Sequence, residues 1–185
     1  MPFTPPCFAP VFFFNDDVLQ LVRGTLGERI VADQWGSDTP VRGSTYQEFH
    51  ADYQRPLFEE SPELVLPPHM LVVSFGLKDI TPADGPIEIA AGTHRMPRAD
   101  AARAAAAGIP LELVSLAIGD VLIRHPWAWH RGTPNTTDTP RALLTIRYVR
   151  PWYADASRDV ESIPTRVWDS LTADQQAMMR FPVAN

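Results

Sequence analysis

Apolar residues along this chain fall mostly in short bursts, and one long stripe has helical spacing. Val18, Leu19, Leu21, Val22 and Leu26 recur at three- and four-residue intervals, the spacing of an amphipathic helix. Asn15 stands where a cap belongs, Asp16 and Asp17 fill the first turn, and Gly27 closes the pattern. Caps, dipole and stop signal together predict a helix over 16–26. A second helix is expected near Thr172, which with Gln175 has capping-box spacing. Between them Ala99–Ala107 carries one Asp and one Arg among alanines. Helix propensity alone predicts a short exposed helix there, ended by Gly108 and Pro110.

The remaining bursts are short and rich in Val, Ile, Leu or aromatic residues, which is strand chemistry. They are Arg29–Gln34, Ser44–His50, Met70–Leu77, Pro86–Ala90, Leu111–Ala117, Val121–His125 and Leu143–Arg150. Asp84-Gly85 and Gly119-Asp120 are tight-turn dipeptides. About seven strands with turn chemistry between them predict a mainly β fold, a sandwich or barrel. Pro151–Asn185 reads as an appended segment with helical character covering one end or face.

Composition narrows this further. The chain has 185 residues, 45% hydrophobic and 21% charged, the balance of one globular domain with a real core. Nineteen prolines and ten glycines favour many turns and oppose a helix bundle. Sixteen basic against twenty-two acidic residues give a net charge of −6, which argues against a nucleic-acid or anionic-membrane partner. Cys7 is alone, so no internal disulfide forms and no Cys-rich zinc site exists. The first residues lack a basic and apolar leader pattern. The longest apolar runs, Val11–Phe14 and Met70–Val73, fall far below the roughly 20 residues of a membrane span. A cytoplasmic protein is the expectation.

Candidate chemistry begins with five histidines: His50, His69, His94, His125 and His130. His50-Ala51-Asp52 ends an expected strand, where residues two apart project to the same side. His130 lies far along the chain beside Trp127 and Trp129. Two imidazoles and one carboxylate with open positions make the facial triad of non-haem Fe(II) oxygenases. A His-x-Asp by itself is weak, because histidines are more often satisfied surface or core groups. After His130 a turn-rich loop leads to Arg141, which opens the next apolar strand. If the flanking strands are antiparallel neighbours, Arg141 returns to the region of His130 and could hold a dicarboxylate by a bidentate pair. A dry setting demands a carboxylate partner for it, and Asp120 or Asp138 could supply one internally. Arg124, His125, Trp127 and Trp129 precede His130, where a substrate pocket could sit; packing at a barrel mouth explains the two Trp equally well. Tyr46 and Phe49 flank His50 in the same ambiguous way. Arg147 and Arg150 read as sheet-surface charges or supports for the site.

Several ordered stretches together resemble the phytanoyl-CoA dioxygenase-like branch of the Fe(II)/2-oxoglutarate-dependent oxygenases. They are Gly43 through Asp52, Leu77–Pro97 with Asp84-Gly85-Pro86 and Gly92-Thr93-His94, and Gly119-Asp120-Val121-Leu122-Ile123 through Arg141 to Trp152, about three-fifths of the chain. The resemblance implies a double-stranded β-helix, a jelly-roll or cupin-like barrel, with a few flanking helices. It implies that His50, Asp52 and His130 bind Fe(II), and that Arg141 binds the distal carboxylate of 2-oxoglutarate, with O2 as the other cosubstrate. Gln47 matches a position that contacts the cosubstrate, Asn135 a loop-shaping position, and His94 a structural turn residue.

The sequence also departs from the family. Gly132 stands two positions after His130, where relatives often carry a hydroxyl residue, and Thr133 is the expected substitute. Only 49 residues precede His50, fewer than usual, so a sheet short of N-terminal strands could be covered by a homodimer partner. Asp52 favours hydroxylation over halogenation. The expectation is a single oxygenase domain over 1–185, with core 29–152, N-terminal helix 16–26 and C-terminal helical segment 153–185. It would hydroxylate or otherwise oxidise a small organic substrate, with Trp127, Trp129 and Tyr46 as substrate candidates. A cupin-like metal enzyme not using 2-oxoglutarate, and a catalytically inactive jelly-roll binding protein, are the competing readings.

Overall fold

A computed structural model describes residues 3, 7–52, 67–154 and 162–184. They form two compact units through which the chain passes in turn: Met1–Ser37, Pro68–Phe75 and Leu144–Asn185 make one, Asp38–Pro67 and Gly76–Leu143 the other. Elements are numbered in chain order.

The first unit holds α1 (Pro10–Phe13), α2 (Asp16–Leu26), β1 (Val31–Asp38), β2 (Met70–Gly76), β7 (Leu143–Val149), α4 (Thr165–Trp168) and α5 (Ala173–Met178). In its sheet β7 lies between β1 and β2. All seven residues of β2 are buried, which explains why it reads as a continuous apolar run without alternation. Helix α2 has the expected bounds. The Asn15 side chain accepts from the Val18 N–H at 3.0 Å, and Val18, Leu19, Val22 and Leu26 are buried. Leu21 is 63% exposed, because at 100° per residue it falls off the arc those four share. The rings of Phe3, Phe8, Phe13 and Trp35 pack together, with Phe181 against Phe3 and Phe13. Tyr148 donates to the Phe13 carbonyl at 2.7 Å. Arg147, read as a sheet-surface charge or a support for the site, is neither: it is buried and forks onto Asp33 at 2.8 and 2.7 Å. At α5 Thr172 and Gln175 form the reciprocal capping box.

The second unit holds β3 (Ile87–Ile89), α3 (Arg98–Ala106), β4 (Glu112–Val114), β5 (Val121–Arg124) and β6 (His130–Gly132). Strands β4, β3 and β6 form an antiparallel sheet with β3 in the middle. Its register sets Ile89 opposite Glu112 and His130, and Ile87 opposite Val114 and Gly132. The other side of β6 is met by residues 42–52. The expected strand Ser44–His50 pairs there only as an antiparallel bridge of His50 with His130, plus a Gln47 N–H donated to the Gly132 carbonyl at 3.1 Å. Gly43, at φ +86°, bends the backbone into a region closed to regular strand. Strand β6 itself is absent from the sequence expectation: His-Arg-Gly carries no apolar alternation. Of the other expected strands, Arg29–Gln34 is shifted and lengthened to Val31–Asp38, and the rest are present but trimmed, Leu111–Ala117 most of all. Among the described residues no helix is long and apolar enough to cross a membrane.

Candidate metal centre

The bridge between residues 42–52 and β6 builds the site. His50 and His130 exchange both backbone hydrogen bonds, at 3.0 and 2.8 Å, so their side chains stand on one face as a cross-strand pair. Their ring centroids are 4.5 Å apart. Asp52 follows His50 by two residues, and its N–H is fixed on the Pro126 carbonyl at 3.0 Å. One ligand atom from each of His50, Asp52 and His130 lies within 4.8 Å of the others, and no other such His, Cys, Asp or Glu group occurs among the described residues.

The tautomers follow from the hydrogen bonds. Nδ1 of His50 lies 2.7 Å from the Glu48 carbonyl, and Nδ1 of His130 lies 2.8 Å from the Ala128 carbonyl. A carbonyl only accepts, so each Nδ1 carries a proton. Each Nε2 then points toward Asp52, at 3.7 Å from Oδ1 for His50 and 3.6 Å from Oδ2 for His130. Burial, joined by the nearby Arg124 charge, pushes the His130 pKa down to about 4. His130 is therefore neutral at physiological pH and presents a lone pair. A neutral imidazole facing a carboxylate at that distance is no ion pair. Two imidazoles and one carboxylate brought together in this way are the donor set of a facial triad, which suits a divalent cation.

Arg124, at the end of β5, donates from Nη2 to Asp52 Oδ2 at 2.8 Å. The sequence offered it only as a pocket-lining candidate, since no local pattern ties it to Asp52, 72 residues earlier.

Arg141 is 1% exposed. Its Nε and Nη2 donate to the Gly85 carbonyl at 3.1 and 2.8 Å, and Nη1 donates to Asp38 Oδ2 at 3.2 Å. The internal carboxylate is thus Asp38. Asp138 pairs with Arg42, and Asp120 accepts from the Ala117 N–H at 2.8 Å. Gly85 can approach because it lacks a Cβ: at φ +76° an added one would lie 2.6 Å from the Thr133 carbonyl.

Gln47 Oε1 accepts from the Gly132 N–H at 2.8 Å. A Cβ at Gly132 would meet that same oxygen at 3.0 Å, so Gln47 fills the space a larger residue at 132 would use. Thr133 is buried, and its hydroxyl donates to the Pro86 carbonyl at 2.7 Å. Asn135 ties its loop to the Pro40 and Thr139 carbonyls at 3.0 and 2.9 Å. Tyr46 is 54% exposed and lies under the Arg131 guanidinium, 4.3 Å from the ring centroid. Trp129 packs on Phe49 and Trp127 on His125, while His94 stacks on His125 outside the triad. Residues 53–66, which follow Asp52, lie outside the described residues.

A family model for phytanoyl-CoA dioxygenase matches residues 8–143. The chain belongs to the phytanoyl-CoA dioxygenase family. Its fold is similar to that of SnoK, described as a non-heme alpha ketoglutarate dependent carbocyclase from nogalamycin biosynthesis, at TM-score 0.63 and 16% identity over 76% of this chain and 58% of that one. AviO1 from Streptomyces viridochromogenes Tue57 matches at TM-score 0.61 and 19% identity, over 82% of this chain and 65% of that one. EctD from S. alaskensis with bound Fe matches at TM-score 0.57 and 20% identity, over 72% and 49%. The chain spans from 32% to 66% of the length of eight solved structures that it matches. At such identities the likeness concerns the fold: this family member is mainly β, of the double-stranded β-helix class with flanking helices.

Proposed function

We propose that this chain is a non-haem Fe(II)/2-oxoglutarate-dependent oxygenase acting on a small organic substrate. The observation that carries the reading is the cross-strand pair His50–His130, whose Nε2 atoms converge with Asp52. These three residues would hold the iron, which with 2-oxoglutarate and O2 supplies an oxidation that releases succinate and CO2. The chain's own part is binding and orientation. The Glu48 and Ala128 carbonyls fix both imidazoles as Nδ1–H tautomers. Burial keeps His130 unprotonated, and the Asp52 backbone is pinned to Pro126. Family membership supports the cofactor pair.

Arg141 is the proposed anchor for the distal carboxylate of 2-oxoglutarate. Its existing partners favour a second reading, a cupin-like metal enzyme without 2-oxoglutarate in which Asp38 and Gly85 already satisfy the guanidinium. Anaerobic loading with Fe(II), then 2-oxoglutarate, separates the two. A weak visible charge-transfer band on adding 2-oxoglutarate is expected. Iron binding without the band hands the case to the second reading, and no iron binding overturns both. Arg141→Lys keeps the charge but loses the planar fork, so 2-oxoglutarate binding should weaken by about 1–3 kcal/mol while iron still binds. Unchanged affinity would assign Arg141 to the fold.

A further inference from the structure

Granted that His50, Asp52 and His130 hold iron as proposed above, we propose that Arg124 is a positioning residue of that centre. It holds Oδ2 of Asp52, makes the carboxylate a one-oxygen ligand and biases the iron toward Fe(II).

Arg124 is a poor fastener of the fold. Its side chain is only 11% exposed. Nε and Nη1 are buried with no hydrogen-bond partner among the described residues, a costly state for a guanidinium. Among the described residues its ion pair uses a single nitrogen on a single oxygen, Nη2 to Asp52 Oδ2 at 2.8 Å. A guanidinium that ties segments together frequently uses its planar fork on both oxygens, as Arg147 does on Asp33. Arg124 acts on one oxygen, and that oxygen belongs to the triad.

Two consequences follow for a bound ion. With Oδ2 engaged by a charged donor, Oδ1, which lies 3.7 Å from His50 Nε2, is the oxygen left for the metal. One-oxygen binding leaves a coordination position free that a two-oxygen carboxylate would take. The guanidinium also draws electron density from the carboxylate and places a fixed positive charge beside the centre. Loss of one electron from Fe(II) adds a positive charge, which a neighbouring cation in a partly buried site opposes. A weakened carboxylate donor opposes it too. Both effects raise the Fe(III)/Fe(II) potential.

The test uses the iron-loaded full chain without 2-oxoglutarate or substrate. Midpoint potentials are measured with redox mediators for the parent, Arg124→Met, Arg124→Gln and Arg124→Lys. Removing the charge in Arg124→Met and Arg124→Gln should shift the potential downward and speed air oxidation severalfold. Arg124→Lys, which keeps charge and a donor, should stay near the parent. Infrared difference spectra on metal loading, with labelled Asp, should show the carboxylate splitting narrowing toward two-oxygen binding in Arg124→Met. An unchanged potential in an Arg124→Met protein that binds iron like the parent would overturn the role. Where Arg124→Met does not fold, equal potentials in Arg124→Gln and Arg124→Lys overturn it. A parent that binds no iron removes both this inference and the oxygenase reading. A parent that binds iron but not 2-oxoglutarate removes only the latter.

Discussion

Asp33 and Asp52 are each a carboxylate facing an arginine, one in each unit. Asp33 is completely buried, and both its oxygens are taken by the Arg147 fork at 2.8 and 2.7 Å. Asp52 is 28% exposed, gives one oxygen to Arg124 at 2.8 Å, and turns toward two imidazole nitrogens at 3.6 and 3.7 Å. The first pair is closed: both carboxylate oxygens are held by the arginine inside the protein. The second is open, because one of its oxygens is taken by Arg124 and the two imidazole nitrogens stand too far off to close it. A closed pair serves the fold, whereas an open carboxylate among lone pairs is arranged for a cation.

The largest expected effect breaks the open side of this contrast. Asp52→Ala removes the one anionic member of the triad. Iron content after anaerobic loading should fall to background, and succinate formation should stop. Undiminished succinate formation coupled to product would show that the carboxylate is not a ligand, and Asp52 would then be an ordinary surface acid beside Arg124.

Breaking the closed side should look different. Asp33→Ala leaves Arg147 buried without its carboxylate, at a cost of about 3–5 kcal/mol in urea unfolding. Replacing both with apolar residues of similar volume should restore most of that stability. Iron affinity of whatever remains folded should be unchanged. A double replacement as unstable as Asp33→Ala would mean that the pair does more than satisfy itself.

The grouping of His50, Asp52 and His130 was more legible in the sequence than its surroundings, and the reason is range. His50-x-Asp52 is a two-residue pattern, and its strand-like geometry survives even though Ser44–His50 forms no regular strand. Helix α2 and the α5 capping box were legible because caps act over three residues. Strand β6 was not, since His130-Arg131-Gly132 is held by its partners on both sides and not by its own pattern. Arg124 and Asp38 were missed as partners for the same reason: ion pairs between segments 72 and 103 residues apart leave no local trace. Asp84-Gly85 was read as a plain turn. Asp84 proves to be buried, and Gly85 admits the backbone that carries Thr133 and Asn135.

Asp84 sharpens the comparison from within the unit that holds Asp52. Its carboxylate is closed by Lys78 Nζ at 2.5 Å and by the Thr81 N–H and hydroxyl at 2.9 and 2.5 Å. Those hydrogen bonds, the Lys78 one first, hold its pKa well below the ordinary 3.8. The unfolded chain therefore takes up this proton before the folded one does. The stability Asp84 contributes is whole above about pH 3.8 and is lost progressively as the pH falls toward the folded-state value. Asp84→Asn should cost about 1.5–3 kcal/mol at pH 7. It should also flatten the acid limb of a stability–pH profile taken by urea unfolding. An acid limb identical to the parent's would show that Asp84 is not closed in solution.

The smallest expected effect concerns the backing of β6. Gly132 is buried, and a Cβ there would lie 3.0 Å from Gln47 Oε1 and 3.1 Å from its Cδ. Gln47 is also joined to Gly132 through a backbone and a side-chain hydrogen bond, three residues before the His50–His130 bridge. Gly132→Ala must therefore push the Gln47 amide aside by a few tenths of an ångström, at about 1 kcal/mol for mild overpacking. The ion pair of Asp33 and Arg147 should not register it. The triad should, because Gln47 and His50 are carried on the same short stretch of backbone. A modest loss of iron affinity should therefore accompany the modest loss of stability. Gln47→Ala in the same chain makes room for the new methyl group. It should recover the packing term while leaving the lost Gly132 hydrogen bond uncompensated, so the double variant should not return fully to the parent. Additive losses in the double variant, with no recovery of packing, would show that the Gln47 side chain does not occupy that space.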